Sequence, residues 1–181
     1  MRRTMGIFRL AAAVALLLAG SMPALADETV KPQAGVQARA GDLDIVQVST
    51  RDPQGLMEEW ARPGAQAELK SLGARTVAGQ PLIVFLIFQG CRTDAAGHCN
   101  LTADYETTGP DGKIIGVVKN LPLLVGEAPL GGGQFQLCPA GYTMTVDAKG
   151  PFGIYHVRAT VTDHVAGVSV TTDQPIEISP K

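Results

Sequence analysis

The fold is decided by the stretch GIYHVRATVTDHVAGVSV, residues 153–170. Apolar and polar side chains alternate over 155–162, which is the pattern of a half-buried β-strand. A turn over 163–167 then leads into a second strand that begins at Val168. Two strands joined by a short polar turn predict an antiparallel hairpin near the carboxyl end of the chain.

Upstream stretches predict that the rest of the chain is mainly β as well. The stretch LIVFLIF at 82–88 is too short to span a membrane and is typical of a central strand covered on both faces. An alternating stretch follows at 101–107, and a Pro-Asp-Gly turn leads into another strand at 114–118. Because turns recur about every 8–12 residues, we predict an antiparallel β-sandwich of about seven or eight strands.

The amino-terminal part adds one short helix. Asp52 and Pro53 predict its start, because aspartate caps helices and proline fits the first helical position. The helix should end at Ala61, and we expect Trp60 to be a core anchor rather than a ligand platform. The chain therefore divides into four parts. These are a cleaved signal peptide at 1–26, a flexible arm at 27–42, a strand plus the short helix at 43–64, and a β-sandwich domain at 65–181.

The first 26 residues predict export. Three arginines precede a short apolar run, and Ala24-Leu25-Ala26 supplies the small-x-small site that a signal peptidase cuts. The run is shorter than the about 20 residues of a membrane anchor, and Ser21 stands where a lipoprotein has its lipidated cysteine. We therefore expect a protein of the periplasm or the secreted fraction, with no transmembrane segment after cleavage.

Cleavage also changes the charge. Removing three arginines from the 15 basic residues leaves 12 against 17 acidic ones, a net charge of about −5. An acidic domain has no electrostatic footprint for a phosphate backbone, so we expect no nucleic-acid partner. The glycines at 131–133 are not followed by Lys-Ser or Lys-Thr, and no cofactor is expected.

Three cysteines determine which disulfide bonds the sequence allows. Cys91 and Cys99 flank a turn-forming segment, and in an oxidising compartment they should form a disulfide. Cys138 is then the odd thiol. It leaves three alternatives open: a buried free thiol, a disulfide-linked dimer, or a different pairing among the three.

Chemistry-bearing patterns are weak in this sequence. No serine lies in a Gly-x-Ser-x-Gly elbow, and the suggestive metal set is His98, Cys99 and Met144, of which a disulfide would remove Cys99. We therefore predict that the chain is not an enzyme and holds no metal. The alternative is a metal-handling or enzymatic periplasmic protein whose site forms only in three dimensions.

The stretch LPLLV at 121–125 is the candidate partner surface. Its proline is typical of an edge strand or a loop. Leu121, Leu123, Leu124 and Val125 could then present an apolar patch to another envelope protein, although plain burial of the same side chains is the alternative. These observations predict a periplasmic, non-catalytic binding or accessory module that acts through protein–protein contacts.

A family resemblance supports the fold prediction. Gly153-Ile154-Tyr155-His156-Val157, followed by Asp163 and Gly167, resembles the last strands of immunoglobulin-like and fibronectin-type-III-like domains over about residues 65–179. The resemblance implies an immunoglobulin-like β-sandwich in which Tyr155 is a corner tyrosine bonded to upstream backbone. Trp60 precedes every cysteine, so the Cys…Trp…Cys order of antibody domains is missing. The layout is also similar to uncharacterised periplasmic proteins of Gram-negative bacteria, which implies no function.

Overall fold

The computed structural model describes residues 34–62, 69–131 and 133–181, so the predicted signal peptide lies outside the described residues. Within them the chain is mainly β, as expected, with two five-stranded sheets and one helix. The helix, α1, spans Pro53–Trp60. The strands are β1 Gly35–Ala40, β2 Leu43–Thr50, β3 Arg75–Val77, β4 Leu82–Gln89, β5 Cys99–Thr108, β6 Ile114–Glu127, β7 Gln136–Leu137, β8 Tyr142–Met144, β9 Gly153–Asp163 and β10 Val168–Ser179.

The strand order separates the two sheets. The first sheet runs β1-β2-β4-β7, with β8 also pairing with β4, and the second runs β3-β10-β9-β5-β6 and curls into a half-barrel. The carboxyl-terminal hairpin is present, since β9 and β10 pair antiparallel from Asp163↔Val168 to Gly153↔Ile178. The expectation of wholly antiparallel pairing is wrong at one place, because β3 runs parallel to β10. The two strands lie far apart in the chain, so no tight turn forces them antiparallel.

Side-chain alternation gives the first sheet two apolar faces. One face belongs to the larger core cluster, which both sheets share and which includes Leu86, Val157 and Ile176, all fully buried. The opposite face carries a smaller cluster that includes Val48 and Phe85 and is covered in part by α1. The first sheet is therefore apolar on both faces, as the run at 82–88 predicts.

The predicted arm at 27–42 is ordered in its described part. Residues 35–40 form β1, which pairs antiparallel with β2 through a turn at Gly41. Gly41 has a φ of +59°, a conformation that glycine adopts without steric cost. Ala38 and Ala40 pack against the larger core. Alternate residues of this segment are therefore partly buried, whereas a flexible arm was expected here.

The helix begins where the sequence predicts. Asp52 Oδ1 accepts from the backbone N–H of Gly55 at 2.9 Å, and Pro53 occupies the first turn. Leu56 is fully buried on the smaller cluster, and Trp60 is partly buried beside it. The helix therefore positions Trp60 on the outer face of the first sheet rather than in the larger core.

The predicted disulfide joins Cys91 and Cys99. Between them, Asp94 Oδ1 accepts from the backbone N–H groups of Ala96 and His98 at 2.8 and 3.0 Å. The remaining thiol, Cys138, is free and fully buried, with Sγ 3.5 Å from the carbonyl oxygen of Leu123. Burial raises the pKa of the Cys138 thiol, so the nucleophilic thiolate is disfavoured.

Breaking the disulfide should destabilise the protein measurably. The double variant Cys91→Ser/Cys99→Ser should lose about 2–3 kcal/mol of unfolding free energy, because the cross-link no longer restricts the unfolded chain. Urea unfolding with and without reductant measures this loss. All proteins carry Cys138→Ala, so that Cys91 and Cys99 are the only cysteines that reductant can affect. Reductant should shift the parent's midpoint and leave that of the double variant unchanged; equal stability of parent and variant contradicts the prediction.

Candidate functional site

The predicted partner surface at 121–125 needs correction. Leu123 and Leu124 are each only 5% exposed and belong to the larger core, and Leu121 packs against it. The cause is a register shift: Leu101 pairs with Leu124 while Thr102 pairs with Pro122, so a bulge lets both consecutive leucines face inward. Of the four predicted residues, Val125 is the one well exposed, at 50%.

The other half of the same strand is the exposed one. Ile114 and Ile115 are each 57% exposed, and Val117 is 51% exposed. β6 lies at the edge of the second sheet with β5 as its neighbour, and among the described strands none pairs with its outer edge. The segment Ile114–Val118 is therefore an apolar strand edge that faces solvent, and we call it the β6 edge.

A groove crosses the outer face of the first sheet. It has a volume of about 380 Å³, with Val46, Val48 and Ile87 on the sheet side and Trp60 and Phe135 among its other lining residues. Trp60 reaches it from α1, and Phe135 from the segment just before β7. The sequence places these two aromatic residues 75 positions apart, so neither could be assigned to a shared site from spacing. We call this feature the Trp60 groove.

A buried carboxylate lies next to the Trp60 groove. Asp44 is 1% exposed and accepts from Arg39 Nη2 at 2.6 Å, from Gln37 Nε2 at 2.8 Å and from Gln89 Nε2 at 3.4 Å. Burial alone would raise the pKa of Asp44, but the hydrogen bonds from Gln37 and Arg39 outweigh it and hold the pKa below its ordinary value. Asp44 is therefore an anion at neutral pH, neutralised by Arg39.

Tyr155 and Trp60 are the two residues that the sequence predicts to be structural. The Tyr155 hydroxyl donates to the carbonyl oxygen of Pro151 at 2.6 Å, the upstream backbone bond that the family resemblance implies. Trp60 packs on the smaller cluster, but it also lines the groove, so anchoring and ligand contact are not exclusive.

Side chains that could carry chemistry are bonded to other groups or buried. Cys99 is in the disulfide, Met144 is buried, and His164 Nε2 lies 2.8 Å from the Thr102 hydroxyl. The Ser169 hydroxyl lies 3.0 Å from that of Thr162. Over 34–62, 69–131 and 133–181, no three His, Cys, Asp or Glu side chains cluster as metal ligands do. The same part of the chain contains no helix long and apolar enough to cross a membrane.

Comparison with known proteins gives a weak structural likeness and corrects one prediction. No protein-family model matches the chain, and no curated protein matches it. Among solved structures it is similar to a family 123 glycoside hydrolase from Clostridium perfringens, with 16% identity and a TM-score of 0.41, over 59% of this chain and 23% of that chain. The prediction that the chain is not an enzyme is contradicted by this match, because the matched protein is a hydrolase, and we withdraw it. A likeness this low transfers neither fold nor substrate.

Proposed function

We propose that the protein is a periplasmic binding module that takes an extended segment of another envelope protein on the β6 edge. The observation that carries the proposal is the exposure of Ile114, Ile115 and Val117 along a strand whose outer edge faces solvent. Export is supported by the amino-terminal sequence and by the disulfide. An immunoglobulin-like sandwich is part of the proposal, supported by two sheets that share a core and by the Tyr155 corner bond.

The two halves of β6 differ in how they are protected. Proteins usually block sheet edges with charges, prolines or bulges, since an open edge pairs with other chains. The half after Val118 has such features: Lys119, Asn120 with a φ of +54°, and Pro122. The Ile114–Val118 half has no charge and no proline and carries branched aliphatic side chains, as a strand-addition site does. Its one irregularity is a shift in its register with β5 between Ile114 and Gly116.

The charges that flank the β6 edge favour a different chain over a second copy. Lys113 and Lys119 bracket it, and both make exposed ion pairs, with Asp111 and Asp104. In a two-fold antiparallel pairing centred on Gly116, Lys113 of one copy would stand opposite Lys119 of the other at both ends. Like charges directly opposite are destabilising. We therefore infer an occupant whose apolar strand is flanked by acidic residues.

A defined peptide tests this proposal. A short synthetic peptide of alternating Val and Thr with an Asp at each end should bind the full mature protein and slow amide hydrogen exchange in β6. A matched peptide with Lys at each end should bind more weakly. Val117→Lys should weaken binding by about tenfold or more, because it removes apolar contact and adds a charge to the edge.

The control is a lysine on the same sheet away from its edge. Thr171→Lys adds the same charge on the exposed side of β10 and should leave peptide binding unchanged. Val117 stands opposite Glu106 in register, so its lysine variant should fold. Undiminished binding by Val117→Lys, or equal binding of the two peptides, overturns the proposal. Concentration-dependent dimerisation that Val117→Lys abolishes would assign the β6 edge to a second copy instead.

A further inference from the structure

We propose that the Trp60 groove binds a single alkyl or acyl chain whose polar end is uncharged. This inference does not depend on the β6 edge, which belongs to the other sheet. It rests on the lining of the groove, its volume and the neutral polar cluster beside it.

The lining is mostly apolar. The floor is formed by Val46, Val48 and Ile87, and Leu69 and Leu72 also line the groove, in addition to its two aromatic rings. Gln37 is the one lining side chain among the described residues that carries a hydrogen-bonding amide. A ligand with many hydroxyl groups would bury them unpaired here, which is costly. A hydrocarbon chain gains from the same surface by leaving water.

The volume limits the size of the occupant. At about 380 Å³ the groove lies near the lower end of the range of about 300–1,000 Å³ that small-molecule sites occupy. It lies on the outer face of the sheet and not between the two sheets, so a chain can enter from the side without opening the larger core. One chain fits this space better than the paired chains of a membrane lipid.

The polar end of the groove selects the head group. Gln37 uses its amide nitrogen on Asp44, which leaves its amide oxygen able to accept from a ligand hydroxyl. The charge of Asp44 is already balanced by Arg39, whose Nη2 lies 2.6 Å away, so the cluster as a whole is neutral. An anionic head would add a second negative charge beside Asp44, and a cationic head would add a second positive charge beside Arg39. An uncharged, hydroxyl-bearing head does neither.

Trp60 makes the proposal directly testable, because it is the one tryptophan of the sequence and its fluorescence reports on the groove alone. The probes are octyl, decyl and dodecyl glucoside, each added below its micelle concentration to the full mature protein. We expect a blue shift of Trp60 emission, with affinity rising by up to about fourfold for each added methylene. Glucose alone should cause no shift. Dodecyl sulfate and dodecyltrimethylammonium should bind more weakly than the glucoside.

Matched variants separate the groove from other apolar surface. Phe135→Ala should weaken binding at least fivefold, whereas Phe152→Ala, which removes an exposed ring outside the groove, should not change it. Val46→Thr is a second groove variant that keeps the side-chain shape and should also weaken binding. Affinity without chain-length dependence, tighter binding of a charged head, or unchanged binding by both groove variants overturns the proposal.

Discussion

Replacing Gly90 with alanine should destabilise the protein by at least about 3 kcal/mol, since two penalties coincide at this position. Gly90 follows β4 with a φ of +76°, which is strained for any residue with a Cβ. A Cβ built there would lie 1.8 Å from the carbonyl oxygen of Asp42, which is backbone and cannot rotate away. The chain must therefore move either the entry to β2 or the segment that leads into Cys91.

Gly97 provides the matched control for Gly90. It has a similar φ of +82°, but a Cβ there would meet nothing within 4 Å. Gly97→Ala should therefore cost about 1 kcal/mol from backbone conformation alone. Thermal unfolding should separate the two variants, with Gly90→Ala melting about 6–12 °C below the parent and Gly97→Ala only a few degrees below. Equal melting temperatures for the two variants would show that the contact with Asp42 relaxes freely.

The sequence predicts a structural feature best when that feature depends on a single segment of the chain. The alternation over 155–162 predicts β9 because side-chain facing in a strand has a period of two residues. The short spacing of Cys91 and Cys99 predicts their disulfide, and Asp52 next to Pro53 predicts the helix start. Each of these depends on neighbours in the chain and not on the rest of the fold.

The interior polar residues show what local pattern cannot give. Gln47 and Thr172 are both buried, and the Thr172 hydroxyl donates to Gln47 Oε1 at 2.6 Å. Gln47 Nε2 in turn donates to the carbonyl oxygen of Val157 at 2.9 Å. These partners lie on β2, β9 and β10, so the Gln47 side chain is satisfied only once both sheets are in place.

The two candidate sites escaped sequence analysis for related reasons. The sequence predicts a strand at 114–118, but the exposure of this strand depends on its place at the edge of the sheet. A bulge farther along β6 buries Leu123 and Leu124, which the sequence predicted to be part of an exposed patch. The Trp60 groove needs α1, β2 and the segment at Phe135 to meet on one face. Within 35–40, Gln37 and Arg39 alternate with apolar residues. This alternation is the one indication in the sequence that the segment is a strand with a polar face.

Asp163→Ala should be among the most destabilising single substitutions outside the apolar core. Asp163 is fully buried at the start of the carboxyl-terminal turn, and its carboxylate accepts from three backbone N–H groups. Oδ2 accepts from Arg92 at 2.7 Å, and Oδ1 accepts from Val165 and Ala166 at 2.9 Å each. Alanine would leave all three donors without this acceptor, which should cost about 3–5 kcal/mol in unfolding free energy.

Asparagine at the same position distinguishes hydrogen bonding from packing. Asp163→Asn keeps the shape and one acceptor oxygen for the turn, but its amide nitrogen would then face the N–H of Arg92. The unfolding free energy of Asp163→Asn should therefore lie between those of the parent and the alanine variant. Chemical denaturation of the three proteins measures the series; an asparagine variant as unstable as the alanine variant would contradict the hydrogen-bond account.

The disulfide should change the size of the Asp163 effect. Arg92 follows Cys91 directly, so the bond from Arg92 to Asp163 ties the disulfide-closed segment to the β9–β10 turn. In the Cys91→Ser/Cys99→Ser background this segment can move and let water reach the N–H of Arg92. Asp163→Ala should then cost less than in the parent, by about 0.5–3 kcal/mol, the range found for coupled neighbours. Additive losses in the double-mutant cycle would show instead that Asp163 acts only on its own turn.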